Sequence, residues 1–182
     1  SWFMDDLWKV MGRPYYVGLL SAAGQHGVSH QQPQELHVVT ARPIRSVKAG
    51  RINVRFFSSQ YMPDAACIDV KTPTGSMRVS TTETTAVDLV RFAKSTGHLD
   101  HVATVLSELA PLCDSKKLVA AVKRVHDVPN AQRLGFLLDK VHRQKMTAPL
   151  YEWVTRQEPR SVPLRSGRTV TGARENKRWQ VL

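Results

Sequence analysis

The hydrophobic period of this chain changes at Ser80, and that change constrains the fold more than any other feature of the sequence. Between Glu35 and Val79, apolar residues alternate with polar ones or form short β-branched runs, which predicts strands in ELHVVT, IRSVKAG and RINVRFF. Beyond Ser80, apolar residues recur every three or four positions, which predicts helices. Because the strands precede the helices, the sequence predicts an α+β fold: a small antiparallel or mixed sheet, then a helical bundle and a basic, strand-like C-terminal tail.

A β-hairpin in CIDVK-TPTG-SMRVS is the clearest local prediction. The Pro and Gly of TPTG are typical turn residues. The alternation on either side of the turn places Ile68 and Val70 opposite Met77 and Val79.

Helix boundaries follow from capping residues and apolar spacing. Ser80 and Glu83 have the spacing of a capping box, which predicts a helix that Ser80 caps. Gly97, Ser115 and Asn130 each begin or cap a further run at helical spacing, which predicts three more helices. Two helices are also predicted before the sheet, in WFMDDLWKVM and in YYVGLLSAAGQH, and SHQQPQ is predicted to be a loop.

Positive charge is concentrated in the last part of the chain. Residues 1–114 contain 11 basic and 10 acidic residues, whereas residues 115–182 contain 15 basic and 5 acidic residues, so the net charges are +1 and +10. Such a concentration most often faces an anionic polymer, and nucleic acid ahead of membrane or acidic protein. An ordinary solvated surface is the alternative interpretation.

The residues from Pro149 onwards are rich in Pro, Gly, Ser and Arg and are predicted to form an extended arm, with strand-like pieces at LYEWVT and KRWQVL. Arginine donates two hydrogen bonds to a phosphate, and an indole such as Trp153 or Trp179 can stack on a base. The alternative is that Trp179 and Val181 belong to a strand that packs on the core. The candidate DNA-binding residues are Arg143, Lys145, Arg156, Arg160, Arg165, Arg168, Arg174, Lys177 and Arg178.

Composition excludes several classes of protein. No apolar run approaches the roughly 20 residues of a transmembrane helix, and no signal-peptide pattern is present, so no membrane partner is predicted. Cys67 and Cys113 are too few for a disulfide framework or a cysteine zinc site, and they fit a reducing cytoplasm. Glycine-rich phosphate loops are absent from the sequence. We therefore expect no cofactor, no metal and no catalytic residue.

Two weaker patterns suggest metal sites, but each also has a purely structural interpretation. PD at 63–64 followed by DVK at 69–71 imitates a nuclease motif, in which two carboxylates hold a divalent ion and a lysine polarises water. The four residues between the halves are too few to turn and pair, so a metal-dependent nuclease ranks last among the functions considered. His26 and His30 have the spacing of two metal ligands on a helix, but a helix end with one histidine on backbone carbonyls is the favoured interpretation.

Three stretches carry a resemblance to a known family: RPYYVGLLSAAGQHGVSHQQPQ, KTPTGSMRVSTTETTAVDLVRF and GHLDHVATVLSEL. They are similar to the AbiEi antitoxins, the regulator half of the bacterial AbiE abortive-infection toxin–antitoxin pairs, over residues 13–112. The resemblance implies a non-enzymatic, cytoplasmic transcriptional regulator in phage defence. It also implies that the chain binds its own promoter DNA and counteracts a nucleotidyltransferase toxin, without necessarily forming a stable complex with it.

Members of that family typically have an N-terminal winged helix-turn-helix before a C-terminal antitoxin domain. This sequence leaves no room for a winged helix before Arg13, so we expect a linker helix at 1–12, the antitoxin domain at 13–148 and the basic arm at 149–182. Contacts with DNA are then expected mainly at phosphates. A homodimer is left open. The alternative function is a pure protein-interaction domain that binds an acidic or RNA-bound partner.

Overall fold

The computed structural model describes residues 14–28, 35–49, 52–73, 75–141, 144–167, 172 and 174–182. Two compact units make up the chain, Ser1–Thr85 and Ala86–Leu182. The predicted helix at residues 2–11 and the predicted loop at residues 29–34 lie outside the described residues. The predicted division into a linker helix, an antitoxin domain and a basic arm, with boundaries after residues 12 and 148, is not tested by these two units and stays a prediction.

A six-stranded mixed sheet occupies the first unit. Its strands are β1 (Tyr15–Val17), β2 (Glu35–Thr40), β3 (Val47–Ala49), β4 (Ile52–Ser58), β5 (Cys67–Thr72) and β6 (Gly75–Ser80). Their order across the sheet is β3-β4-β2-β1-β6-β5. The pairs β2–β4 and β1–β6 are parallel, and the other neighbouring pairs are antiparallel.

The helix predicted in YYVGLLSAAGQH is wrong at its start, because Tyr15–Val17 forms strand β1 and helix α1 spans Leu19–Gln25. β1 lies between β2 and β6, where Tyr16 and Val17 are buried, and aromatic and β-branched residues suit such a position. At Gly18, which separates the two elements, a Cβ would lie 2.9 Å from Cγ2 of Val39. The close approach to β2 therefore requires glycine.

The predicted hairpin is confirmed together with its register. β5 and β6 pair antiparallel, with Ile68 opposite Val79 and Val70 opposite Met77. Met77 and Val79 are buried. One buried apolar cluster of this unit contains Val17, Ala22, Val38, Val54, Met77 and Val79.

Helix α2 (Thr82–Arg91) begins one residue later than the predicted capping box requires. The N–H of Thr84 donates to Oγ1 of Thr81 at 3.3 Å, so Thr81 occupies the cap position. Ser80 is the last residue of β6, and its hydroxyl lies 2.7 Å from that of Thr85. Pairing with the neighbouring strand thus extends one residue further than the local spacing indicates.

Four more helices follow in the second unit: α3 (His98–Leu109), α4 (Ser115–Val125), α5 (Val128–Lys140) and α6 (Gln144–Thr155). α5 contacts both α3 and α6, and α4 contacts α6. The apolar residues of α3 at helical spacing are buried, namely Leu99, Val102, Leu106 and Leu109. The α+β class, with a mixed sheet followed by helices, is therefore confirmed.

Asp127, and not Asn130, caps helix α5. Oδ1 of Asp127 accepts a hydrogen bond from the N–H of Asn130 at 3.0 Å. Asn130 is buried in the first turn, where its Nδ2 donates to the carbonyl oxygen of Val87 at 3.2 Å.

The extended arm predicted from Pro149 is wrong over its first residues, because LYEWVT belongs to helix α6. Pro149 lies inside that helix, where it lacks the N–H that would bond the carbonyl of Lys145 in the first turn. Leu150 and Val154 are buried at a spacing of four residues, as helical packing requires.

Beyond α6, residues 156–167, 172 and 174–182, here called the C-terminal segment, consist of turns and isolated bridges. Val181 bridges to Val162, and KRWQVL is mostly a turn where a strand was predicted. Trp179 rests on Gly135 of α5, where a Cβ would overlap the indole ring. The alternative prediction for Trp179 and Val181 is therefore confirmed for the packing on the core, since both are buried. It is wrong for the strand, because Trp179 lies in a turn and Val181 in an isolated bridge.

Candidate nucleic-acid interface

Every described member of the predicted DNA-binding set has an exposed side chain. Arg143 and Arg168 lie outside the described residues. The described members, here called the C-terminal basic residues, are Lys145, Arg156, Arg160, Arg165, Arg174, Lys177 and Arg178. Lys145 belongs to the first turn of α6, and the others belong to the C-terminal segment. A helix end and turns therefore present these residues, where a strand pair was predicted.

Two of these residues meet at one depression of the surface. Arg160 and Lys177 line a hollow of about 550 Å³ together with Glu175 and Ser161. Glu175 is hydrogen-bonded to the hydroxyl of Ser161. Two cations beside an engaged carboxylate form a local positive site of a size that admits a phosphate group.

Arg165 makes a weak ion pair. Its Nη2 lies 3.7 Å from Oδ2 of Asp100, and the two side chains are 54% and 94% exposed. An ion pair so open to water contributes at most about 1 kcal/mol. The guanidinium of Arg165 can therefore exchange this carboxylate for a stronger anionic partner.

Arg178 is held by the surrounding structure. Its Nε lies 3.4 Å from Oδ2 of Asp139, and its Cζ lies 5.1 Å from the ring centroid of Tyr151 and 5.6 Å from that of Trp179. Oδ1 of Asp139 also accepts a hydrogen bond from Oγ1 of Thr147 at 2.7 Å. Of the C-terminal basic residues, Arg178 is thus the one whose position depends most on α5.

Neither described indole fits the predicted stacking role well. Trp179 is 1% exposed, and its Nε1 donates to Oδ2 of Asp139 at 2.7 Å, so a base cannot reach its face. Trp153 is half-buried, with its ring 6.1 Å from that of His126 in an edge-to-face contact. The described contacts to a nucleic acid would accordingly be ionic.

A second exposed basic group lies on α4. Its members are Lys116, Lys117, Lys123 and Arg124. The second unit as a whole contains 17 basic and 9 acidic residues, a net charge of +8.

The structure places the residues of the nuclease-like motif and of the histidine pattern in ordinary secondary-structure positions. Asp64 lies in a single 3₁₀ turn, Met62–Asp64, while Asp69 and Lys71 lie on β5, and all three side chains are exposed. His26 ends α1, and its Nε2 lies 2.8 Å from the carbonyl oxygen of Ser80, so the interpretation of His26 as a helix-end residue on a backbone carbonyl is confirmed. No group of three or more His, Cys, Asp or Glu among the described residues is placed to hold a metal ion.

Sequence reasoning missed the polar residues of α5 that position the C-terminal segment. Gln132 donates from Nε2 to the carbonyl oxygens of Arg160 and Trp179, each at 2.9 Å. Asp139 binds Arg178 and Trp179 from the same helix. The sequence alone does not single out these two residues, because α5 also contains the polar residues Asn130, Arg133 and Lys140.

These observations define an α+β domain that concentrates exposed cationic side chains in one of its two units. The sequence profile of the AbiEi antitoxin C-terminal domain matches residues 16–140. The chain belongs to this family of antitoxin domains.

Among solved structures, the chain is similar to the RV2827C protein from Mycobacterium tuberculosis, with 14% sequence identity and a TM-score of 0.63. The likeness covers 92% of this chain and 61% of that protein, so this chain spans less than two thirds of its length. At this identity the likeness concerns the fold alone. None of the curated proteins matches the sequence. Among the described residues, no helix is long and apolar enough to span a membrane.

Proposed function

We propose that this domain counteracts a nucleotidyltransferase toxin and contributes sequence-independent phosphate contacts when its operon is repressed. The role is that of a non-catalytic, cytoplasmic regulator in abortive infection. Membership of the AbiEi family supports the antitoxin part of the proposal. The paired cations Arg160 and Lys177, beside a carboxylate already engaged by Ser161, are the observation that carries the DNA part.

The mechanism of DNA contact follows from charge and exposure. Lysine and arginine side chains that neutralise phosphates release condensed counterions, so affinity falls steeply as salt rises. Because such contacts do not read bases, the domain would hold DNA while another element selects the operator. A homodimer would double the number of phosphate contacts. The proposal therefore includes a measurement of the oligomeric state.

Fluorescence anisotropy over a salt series tests the DNA contacts, with the upstream region of the operon and a scrambled duplex as probes. We expect similar affinity for both duplexes. The double substitution Arg160→Gln and Lys177→Gln should flatten the slope of log affinity against log salt by up to about two units. A matched control, Lys116→Gln with Lys117→Gln, removes the same charge from α4 and should change the slope less.

If the two double variants flattened the salt slope equally, the assignment of the phosphate contacts to the C-terminal segment would be contradicted. Absence of binding at moderate salt would overturn the DNA part and favour a domain that binds only protein. Co-expression with the operon's nucleotidyltransferase tests the antitoxin part separately, because growth should be rescued by the wild-type chain. Failure of that rescue would overturn the antitoxin proposal whatever the DNA measurement gives.

A further inference from the structure

A cavity of about 750 Å³ lies within the second unit. Its walls come from residues 90–95, the start of α3, the start of α5 and residues 164–166. This volume is in the range of pockets that enclose a small organic molecule. Of the C-terminal basic residues, only Arg165 lines it.

Positive charge predominates in the lining. The cations are Arg91, Lys94, Arg133 and Arg165, and the carboxylates are Asp100 and Asp127. Both carboxylates already have partners, because Asp127 caps α5 and Asp100 pairs with Arg165. The lining is therefore suited to an anionic ligand.

Two of the cations are placed for such a ligand. Arg133 is half-buried, and its Nε donates to the carbonyl oxygen of Pro163 at 3.0 Å, which leaves its terminal amino groups for further bonds. Burial lowers the pKa of Arg133, and the charge of Asp127 opposes that shift. A partly desolvated guanidinium gains more from an anion than a solvated one does. Lys94 is exposed, and among the described carboxylates none forms an ion pair with it.

The remaining lining is apolar and partly flat. Val90, Phe92, Leu99 and Leu164 contribute apolar surface. The guanidinium carbon of Arg91 lies 5.5 Å from the ring centroid of Phe92, so a planar cation and an aromatic ring adjoin in the same wall. Such surfaces accept planar heterocycles by stacking.

We propose that this cavity binds a nucleoside phosphate, with the phosphate at Lys94 and Arg133 and the base on the apolar wall. A phosphate alone would use the cations and leave the apolar wall wet, whereas a nucleoside alone would cover the apolar wall and bring no anion to Lys94 and Arg133. A nucleoside phosphate satisfies both. The ligand can be a free nucleotide or the terminal nucleotide of a strand, since the two share this chemistry. The inference does not rest on the proposed function, because it requires neither duplex DNA nor the toxin.

Isothermal titration of the full chain at physiological salt tests the proposal. The probes are the common nucleoside triphosphates, inorganic triphosphate as a matched anion without a base, and adenosine as a base without phosphate. We expect one nucleotide per chain, bound more tightly than either control. Lys94→Gln should weaken binding about tenfold, since one charge-assisted hydrogen bond is lost. Lys123→Gln, which changes another exposed lysine on α4, should leave nucleotide binding unchanged.

Three results would overturn the proposal: no binding of any nucleotide, equal affinity for inorganic triphosphate, or equal losses in the two lysine variants. Competition by a short single strand, with and without a terminal phosphate, distinguishes the sources. Tighter binding of the phosphorylated strand would assign the cavity to a strand end, and tighter binding of the mononucleotide would assign it to a free metabolite.

Discussion

Gly135 is the residue on which the packing of the C-terminal segment depends most directly. The indole of Trp179 occupies the space that a Cβ would need at this position, and its Nε1 is bound to Asp139. Helix α5 thus contains glycine where helix propensity alone disfavours it.

Gly135→Ala should destabilise the protein by about 1–3 kcal/mol, because the added methyl group displaces Trp179 from a filled site. Chemical denaturation measures the free energy of unfolding. Gly24→Ala is the matched control, since Gly24 lies in α1, is exposed and has no neighbouring atom within 4 Å of an added Cβ. That control should gain about 0.5–1 kcal/mol from helix propensity. A gain in both variants would mean that the indole does not rest on Gly135.

His37 is a buried titratable group in the sheet. It is 4% exposed, and its ring packs edge-on against Phe57 with centroids 5.1 Å apart. Its Nδ1 has no hydrogen-bond partner among the described residues. Burial, followed by the positive charge of Arg55, lowers the pKa of His37 to about 4.

Stability should therefore fall as the pH drops from 6.5 towards 4, since the unfolded chain takes up a proton that the folded chain refuses. The loss attributable to His37 is up to about 3 kcal/mol and is absent above pH 6.5. Urea midpoints across this pH range, compared between wild type and His37→Leu, measure it. The variant should lose part of the acid sensitivity, and parallel pH profiles would show that His37 titrates normally.

At the scale of elements, helix α5 organises the second unit. It contacts α3 and α6, and the side chain of Gln132 is hydrogen-bonded to the C-terminal segment. Gln132 is 1% exposed, and of its bonds to main-chain carbonyls the one to Trp179 is buried. Removing a donor from buried carbonyls costs more than the bonds themselves contribute.

Gln132→Leu preserves the approximate size of the side chain but leaves the carbonyls of Arg160 and Trp179 without this donor. We expect the free energy of unfolding, measured by thermal denaturation, to fall by about 2–4 kcal/mol. We also expect faster tryptic cleavage after Arg160. Gln144→Leu is the control, since Gln144 is exposed and makes only a 3.3 Å bond to the carbonyl of Asp139. Similar stability and cleavage rates in the two variants would contradict an anchoring role for Gln132.

Elements with local signals were predictable from the sequence, and elements with distant partners were not. The hairpin and helices α3 and α4 follow from turn residues and apolar spacing within a few positions. β1 is a strand because it pairs with β2 and, at Val17, with Val79 of β6, far along the chain. α6 was missed because Pro149 is a helix breaker by itself, while burial of Leu150 and Val154 favours the helix.

Of the two candidate sites, the basic residues were predictable from the sequence and the cavity was not. Basic residues near the C-terminus are visible as a compositional excess, and their exposure follows from their charge. The cavity, in contrast, combines Lys94, Arg133 and Arg165, which no spacing rule connects. Only the folded second unit brings them to one lining.

At the scale of the whole molecule, charge is divided unequally between the two units. The first unit contains 9 basic and 6 acidic residues, a net charge of +3, against +8 for the second. The second unit therefore attracts a polyanion more strongly than the first unit does. At physiological ionic strength, salt screens this attraction beyond a Debye length of about 8 Å. Measurements at low salt would exaggerate both DNA and nucleotide binding.

Trp179 also provides the molecule with an optical signal. Its indole is enclosed and bound to a carboxylate, so its emission differs from that of an indole in water and reports directly on whether the C-terminal segment is attached to α5. In a chain whose other tryptophans are replaced by phenylalanine, fluorescence would follow this one docking event in real time. Detachment of the segment could then be timed separately from loss of the sheet.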